Sequence, residues 1–185
     1  MKTLKALAAV TMLAASPAPA DDETAGLEKA ILQDIIQNTK VSVEPLKDAA
    51  LAKCFAVPMH RATITTKDGS GSMQRKAIYA KTGDGLQKVT DPGTDAEIAG
   101  LADMVNPAFA LKTDADGETM MAAFKAIFPR QFDDKVEPRV VRDGTKWEFI
   151  ADKFFKKFSG FEVTTDAAGK ISSIKRSLDI AGEDG

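Results

Sequence analysis

Near the start of the chain, apolar residues recur at helical spacing. Leu27, Ala30, Ile31 and Ile35 share one face with Asp34 and Asn38, and Leu32 and Ile36 adjoin it. This 3.6-residue period predicts a helix from Ala25 to Asn38. Val41-Ser42-Val43 is β-branched and short and reads as a linker. Glu44-Pro45 reads as the start of a second helix, because proline at the first helical position gives up no hydrogen bond. That helix is expected to reach Phe55 and to stop before Pro58.

The period then changes to two. His60, Ala62, Ile64 and Thr66 alternate with Arg61, Thr63 and Thr65, a glycine-rich turn spans Lys67 to Ser72, and Met73 to Ala80 resumes the extended pattern. The Thr, Ile and Tyr content supports an antiparallel hairpin, with Leu86 to Thr90 as a further short strand. Thr94-Asp95-Ala96-Glu97 fits a capping box. Ile98, Leu101, Ala102 and Val105 follow it at helical spacing as far as Asn106-Pro107. Thr113 to Asp116 offers N-cap side chains for a helix with Met120, Met121, Phe124, Ile127 and Phe128 as its apolar face, ended by Pro129.

From Val136 onward the signal is β. Asp143-Gly144 separates Val136–Arg142 from Lys146–Ala151, a strong short-range hairpin cue. Asp166 to Lys170 separates Phe158–Thr165 from Ile171–Ile180. Helices segregate from hairpins and no βαβ alternation occurs. The expected class is therefore α+β: an antiparallel sheet built from hairpins, packed on one face by the N-terminal and central helices. No composition break divides the chain after Ala20, so residues 21–185 read as one domain.

Residues 1–20 follow different rules. Lys2 and Lys5 precede an uncharged run from Ala6 to Ala15, and Ala18 and Ala20 supply the small residues of an A-x-A cleavage site. This is the anatomy of a signal peptide, and it predicts a periplasmic or secreted protein beginning at Asp21. The apolar run is half the length of a membrane span, which needs about 20 residues. No later stretch of that kind is free of charge, so no transmembrane segment is expected in the mature chain. Cleavage would remove two lysines and no acid, moving the net charge from −2 to −4.

That charge argues against a nucleic-acid partner. With 44% hydrophobic residues the chain has material for a real core. Cys54 is the only cysteine, so no internal disulfide contributes. Its apolar helical setting reads as a small buried hydrophobe; an intermolecular disulfide and a reactive thiol are the alternatives. Cys54 and His60 are nonetheless the one thiol–imidazole pair available to nucleophilic chemistry, six residues apart with Pro58 between.

A single histidine gives metal chemistry little to work with. Asp114, Asp116, Gly117 and Glu118 resemble part of a calcium loop, but the frame places Lys112 and Ala123 where Asp and Glu are required. Helix capping accounts better for these acids. No motif calls for a metal or a cofactor.

The most unusual composition runs from Trp147 to Phe161, with Trp147, Phe149, Phe154, Phe155, Phe158 and Phe161 interleaved by Lys153, Lys156 and Lys157. Alternation makes Trp147, Phe149, Phe161 and Val163 core residues. Adjacent Phe154 and Phe155 cannot both face one core from a strand. With Lys156 and Lys157 they form the candidate ligand-binding set. The expected function is an exported, non-enzymatic binding or interaction module whose partner is a small molecule, a peptide or an envelope protein, with a homodimer through a sheet edge also open. The alternative is a small hydrolase-like exported enzyme using carboxylates or Cys54/His60 in a pocket.

Overall fold

The computed structural model describes residues 20–33, 39–68, 71–83, 85–91, 93–132, 137–154 and 157–180. The first half runs α1 (Ala20–Gln33), β1 (Thr39–Pro45), α2 (Ala49–Cys54), β2 (Met59–Asp68), β3 (Gly71–Thr82) and β4 (Gly85–Thr90). Then come α3 (Asp95–Ala99), a 3-10 turn (Gly100–Met104), α4 (Asp114–Ile127), β5 (Arg139–Asp143), β6 (Lys146–Phe154), β7 (Lys157–Thr165) and β8 (Ile171–Ile180). The protein is α+β. Its hairpins divide between two antiparallel four-stranded sheets, ordered β1-β2-β3-β4 and β5-β6-β7-β8. The helical stretch from α3 to α4 separates the two sets of strands.

Two elements differ from expectation. Val41–Val43 is part of β1, because Val41 pairs with Ile64 and Val43 with Ala62, and that pairing buries Val41. Pro45 does not open a helix. It is the last residue of β1, opposite His60, on an edge strand where a missing N–H breaks no ladder. The second helix starts later, at Ala49, because Asp48 caps it: Asp48 Oδ1 accepts from the N–H of Ala50 (2.8 Å) and Leu51 (3.1 Å). In α1, residues 34–38 of the expected helix lie outside the described residues.

The capping boxes hold at both later helices. The helix after Thr94 is α only to Ala99 and then tightens into the 3-10 turn. The β5–β6 hairpin closes through Gly144-Thr145, with Gly144 at φ 58°. That left-handed value is what a two-residue hairpin loop demands and what glycine supplies at least cost.

The first sheet is buried on both faces. Leu27 and Ile31 of α1 pack with Val41, Ala62, Ile64, Ala77 and Tyr79. The intervening positions Met59, Ile78 and Ala80 join a larger core with α2, α4 and the inner face of the second sheet. Phe124 lies at its centre, stacked on Phe161 at 4.5 Å and edge-on to Phe149 at 5.1 Å. Among the described residues, no helix is long and apolar enough to cross a membrane.

Candidate functional site

The fold keeps Cys54 and His60 apart. Cys54 ends α2, fully buried in the larger core, and burial pushes its thiol up to about 12. Met59 faces the same core. Side chains alternate along β2, so His60 faces the other way, beside its register partner Tyr79. His60 is buried, with Nδ1 unpaired among the described residues. The sheet thus lies between the thiol and the imidazole.

The acids before α4 serve the helix. Asp116 Oδ2 accepts from the N–H of Thr113 (3.0 Å), the hydroxyl of Thr113 (2.8 Å) and the N–H of Lys112 (3.2 Å). Burial alone would raise its pKa; these hydrogen bonds outweigh it and hold the carboxyl below the usual aspartate value. Gly117 lets α4 approach the second sheet. A Cβ there would sit 3.0 Å from Trp147 Cζ3 and 3.1 Å from Val140 Cγ1. Among the described residues, no group of three or more His, Cys, Asp or Glu side chains is placed to hold a metal ion.

Beside this contact α4, β5 and β6 enclose a groove of about 520 Å³, within the range of about 300–1,000 Å³ usual for ligand sites. Its apolar surface comes from Met121, Val140 and Trp147. Arg139 and Val140 point to opposite faces of β5, so a groove lined by both opens along the edge of that strand. Among the described residues β5 is an edge strand, paired with β6 alone.

The groove is electrically polar along its length. Asp114, Glu118 and Lys125 line it from one side of α4. At 1.5 Å per residue, Lys125 lies roughly 10 Å along the helix from Glu118 and roughly 16 Å from Asp114. β5 runs opposite to α4. Arg142 stacks over the Trp147 ring at 4.8 Å and donates to the Lys112 carbonyl (2.7 Å) and the Gly144 carbonyl (3.2 Å), which ties it to the acidic end. Val140 meets Gly117, and Arg139, one strand residue or about 3 Å further along β5, stands in the middle of the groove, between Glu118 and Lys125. One end carries two carboxylates and the Arg142 guanidinium, Arg139 stands between, and the other end carries Lys125.

A second concavity, of about 460 Å³, lies on the first sheet. Arg75, Lys76, Lys88 and Arg130 line it, with Asp91 as the one acid. Asp91 Oδ2 accepts from the N–H of Arg130 (2.9 Å). Burial pushes the Asp91 carboxyl up, against the pull of that hydrogen bond and of the Arg130 and Arg61 charges.

Of the aromatic–lysine set, Phe154 and Lys157 pair in register at the close of the β6–β7 hairpin. Phe155 and Lys156 lie outside the described residues, as do the side chains of Phe154 and Lys157. Trp147, Phe149 and Phe161 are buried. The sequence treats Trp147 as core alone, whereas it also lines the groove. Glu118 entered only through the incomplete calcium loop, and Lys125, Arg139 and Arg142 escaped notice because charged residues on a helix and an edge strand look like a solvated surface. The only available signal was the helical spacing of Asp114, Glu118 and Lys125, and that gives no hint of β5 opposite.

No family model matches the chain, and neither a curated protein nor a solved structure gives a significant match.

Proposed function

We propose that the chain is an exported, non-enzymatic binding module that holds a short extended peptide in the groove between α4 and β5–β6. One observation carries the reading: Asp114 and Glu118 stand at one end of the groove and Lys125 at the other, roughly 10–16 Å apart along α4. A peptide's free ammonium fits the Asp114/Glu118 end and its free carboxylate the Lys125 end. At about 3.3 Å per extended residue, the span suits a ligand of roughly three to five residues. Among the described strands β5 pairs with β6 alone, and its outer edge suits strand-addition recognition of such a ligand. An apolar side chain would rest on Met121, Val140 and Trp147.

The reading is one of binding because the single thiol is sealed in the core and its raised pKa keeps it protonated at neutral pH. Export follows from residues 1–20. Cleavage after Ala20 would leave all but the first residue of α1, including the buried Leu27 and Ile31. Mass spectrometry of exported material should give a mature start at Asp21; soluble protein retaining Met1 would refute it.

Trp147 is the only tryptophan, so its fluorescence reports on the groove. Titration with the tetrapeptide Ala-Leu-Leu-Ala should give a saturable change, and the peptide should be recovered intact. The acetylated and amidated form should bind about tenfold more weakly. Equal binding of the two forms would refute the end-recognition reading, and cleavage of the peptide would favour the enzyme.

A further inference from the structure

We infer that the first sheet carries a second, independent site, for a multiply charged anion. The concavity there shares no lining residue with the peptide groove. Its four cations come from three separate parts of the fold: Arg75 and Lys76 from β3, Lys88 from β4 and Arg130 from the turn after α4. They line one cavity together with a single acid, Asp91, in a chain whose net charge is −2. A local excess of positive charge in an acidic protein is not an average property of its surface. It raises the local concentration of anions.

The register explains how the cavity forms. β4 pairs with β3 only from Ala77 to Thr82, so among the described residues the stretch before Ala77 has no strand neighbour on that side. Arg75 and Lys76 point to opposite faces of β3, yet both line the cavity. It therefore wraps the open edge of β3, in the notch left where β4 ends at Thr90. The bond from the Arg130 N–H to Asp91 fixes the far wall, Thr66 contributes a hydroxyl group, and the Thr90 hydroxyl donates to Glu97 Oε2 (2.6 Å). A smaller cleft of about 50 Å³ adjoins the notch and brings Arg61 to the same cluster.

The spacing selects the ligand class. Lys88 pairs with Tyr79, four residues along β3 from Arg75, so their backbones are roughly 13 Å apart. One tetrahedral anion cannot meet both side chains unless they reach fully toward each other. A ligand with two or more anionic groups can, whether these are linked phosphates or several carboxylates.

Isothermal titration of the mature chain with sodium tripolyphosphate, citrate and orthophosphate tests the inference. Tripolyphosphate should bind one to one, at least tenfold more tightly than orthophosphate and more weakly as salt rises. Citrate distinguishes the sources: parity with tripolyphosphate assigns the site to polyanions in general, and weaker binding assigns it to linked phosphates. Arg75→Gln with Lys88→Gln, both exposed positions, should weaken tripolyphosphate at least tenfold at unchanged melting temperature. Should that pair fail to fold, Lys76→Gln alone should weaken binding several-fold. Arg139→Gln, in the peptide groove, should leave it unchanged. Absence of saturable binding, equal affinity for orthophosphate, or full affinity in the folded Arg75/Lys88 variant would overturn the proposal. None of these results bears on peptide binding, because the two sites share no residue.

Discussion

Replacing Phe124 with alanine removes the ring on which α4 and the second sheet meet. The side chain is fully buried, with Phe161 stacked at 4.5 Å and Phe149 edge-on at 5.1 Å. Truncation takes roughly 150 Å² of apolar surface out of the core, worth about 4 kcal/mol at about 25 cal/mol per Å². Each ring pair adds about 0.5–1.5 kcal/mol, and partial collapse of the cavity returns some of the total. Core Phe→Ala exchanges cost about 3–5 kcal/mol, and the two ring contacts place this one at the upper end, about 4–5 kcal/mol. For a chain of this size that corresponds to a fall in melting temperature of roughly 10–15 °C. Urea unfolding followed by circular dichroism measures the loss directly, as a lower midpoint at unchanged slope. A loss below about 1.5 kcal/mol would refute the packing argument, because it would mean that α4 does not depend on this ring to hold the second sheet.

Other expectations are narrower. Cys54 should react with a thiol dye slowly in native protein and quickly in urea; fast labelling at neutral pH would contradict both its burial and its raised pKa. Gly160→Ala should cost about 3 kcal/mol or prevent folding, since the new Cβ would overlap the Phe149 carbonyl oxygen. Gly26→Ala, on an exposed turn of α1 with open space around it, should instead gain about 0.5–1 kcal/mol by urea midpoint. The Asp116 carboxyl is held below its ordinary value, so its stabilising contribution is complete above about 3.8 and is lost as pH falls through the lower folded value. Asp116→Asn should flatten that part of the acid-unfolding profile, and an unchanged profile would refute the assignment.

Much of the fold was legible because its cues are local. Thr94 and Thr113 cap helices through bonds made within four residues. Gly144 turns a hairpin whose strands lie on either side of it. Val41–Val43 was opaque because its strand character depends on Ile64 and Ala62, some twenty residues away. Pro45 was ambiguous for a related reason. A residue without an N–H suits the first turn of a helix and an edge strand equally, and only the pairing with His60 decides. The division into two sheets was hidden too, since turn chemistry sets neighbours within a hairpin but not which hairpins join. The groove is a product of tertiary structure. Asp114, Glu118 and Lys125 have the spacing of a solvated helix face, and they become the wall of a site only because Gly117 lets Val140 and Trp147 come within contact distance. The thiol and imidazole, near each other in sequence, are separated by the alternation of a strand.

The peptide reading is tested most directly by a double-mutant cycle on the groove's acidic end. Ala-Leu-Leu-Ala and its N-acetylated form would be titrated against the unmodified chain and against Glu118→Gln, with Trp147 fluorescence as the readout. If Glu118 receives the ligand's ammonium, the variant should lose about fivefold in affinity for the free-amine peptide, a coupling of about 1 kcal/mol for a partly exposed pair. It should lose nothing for the acetylated one. An equal change for both peptides, or no change for either, would contradict the account.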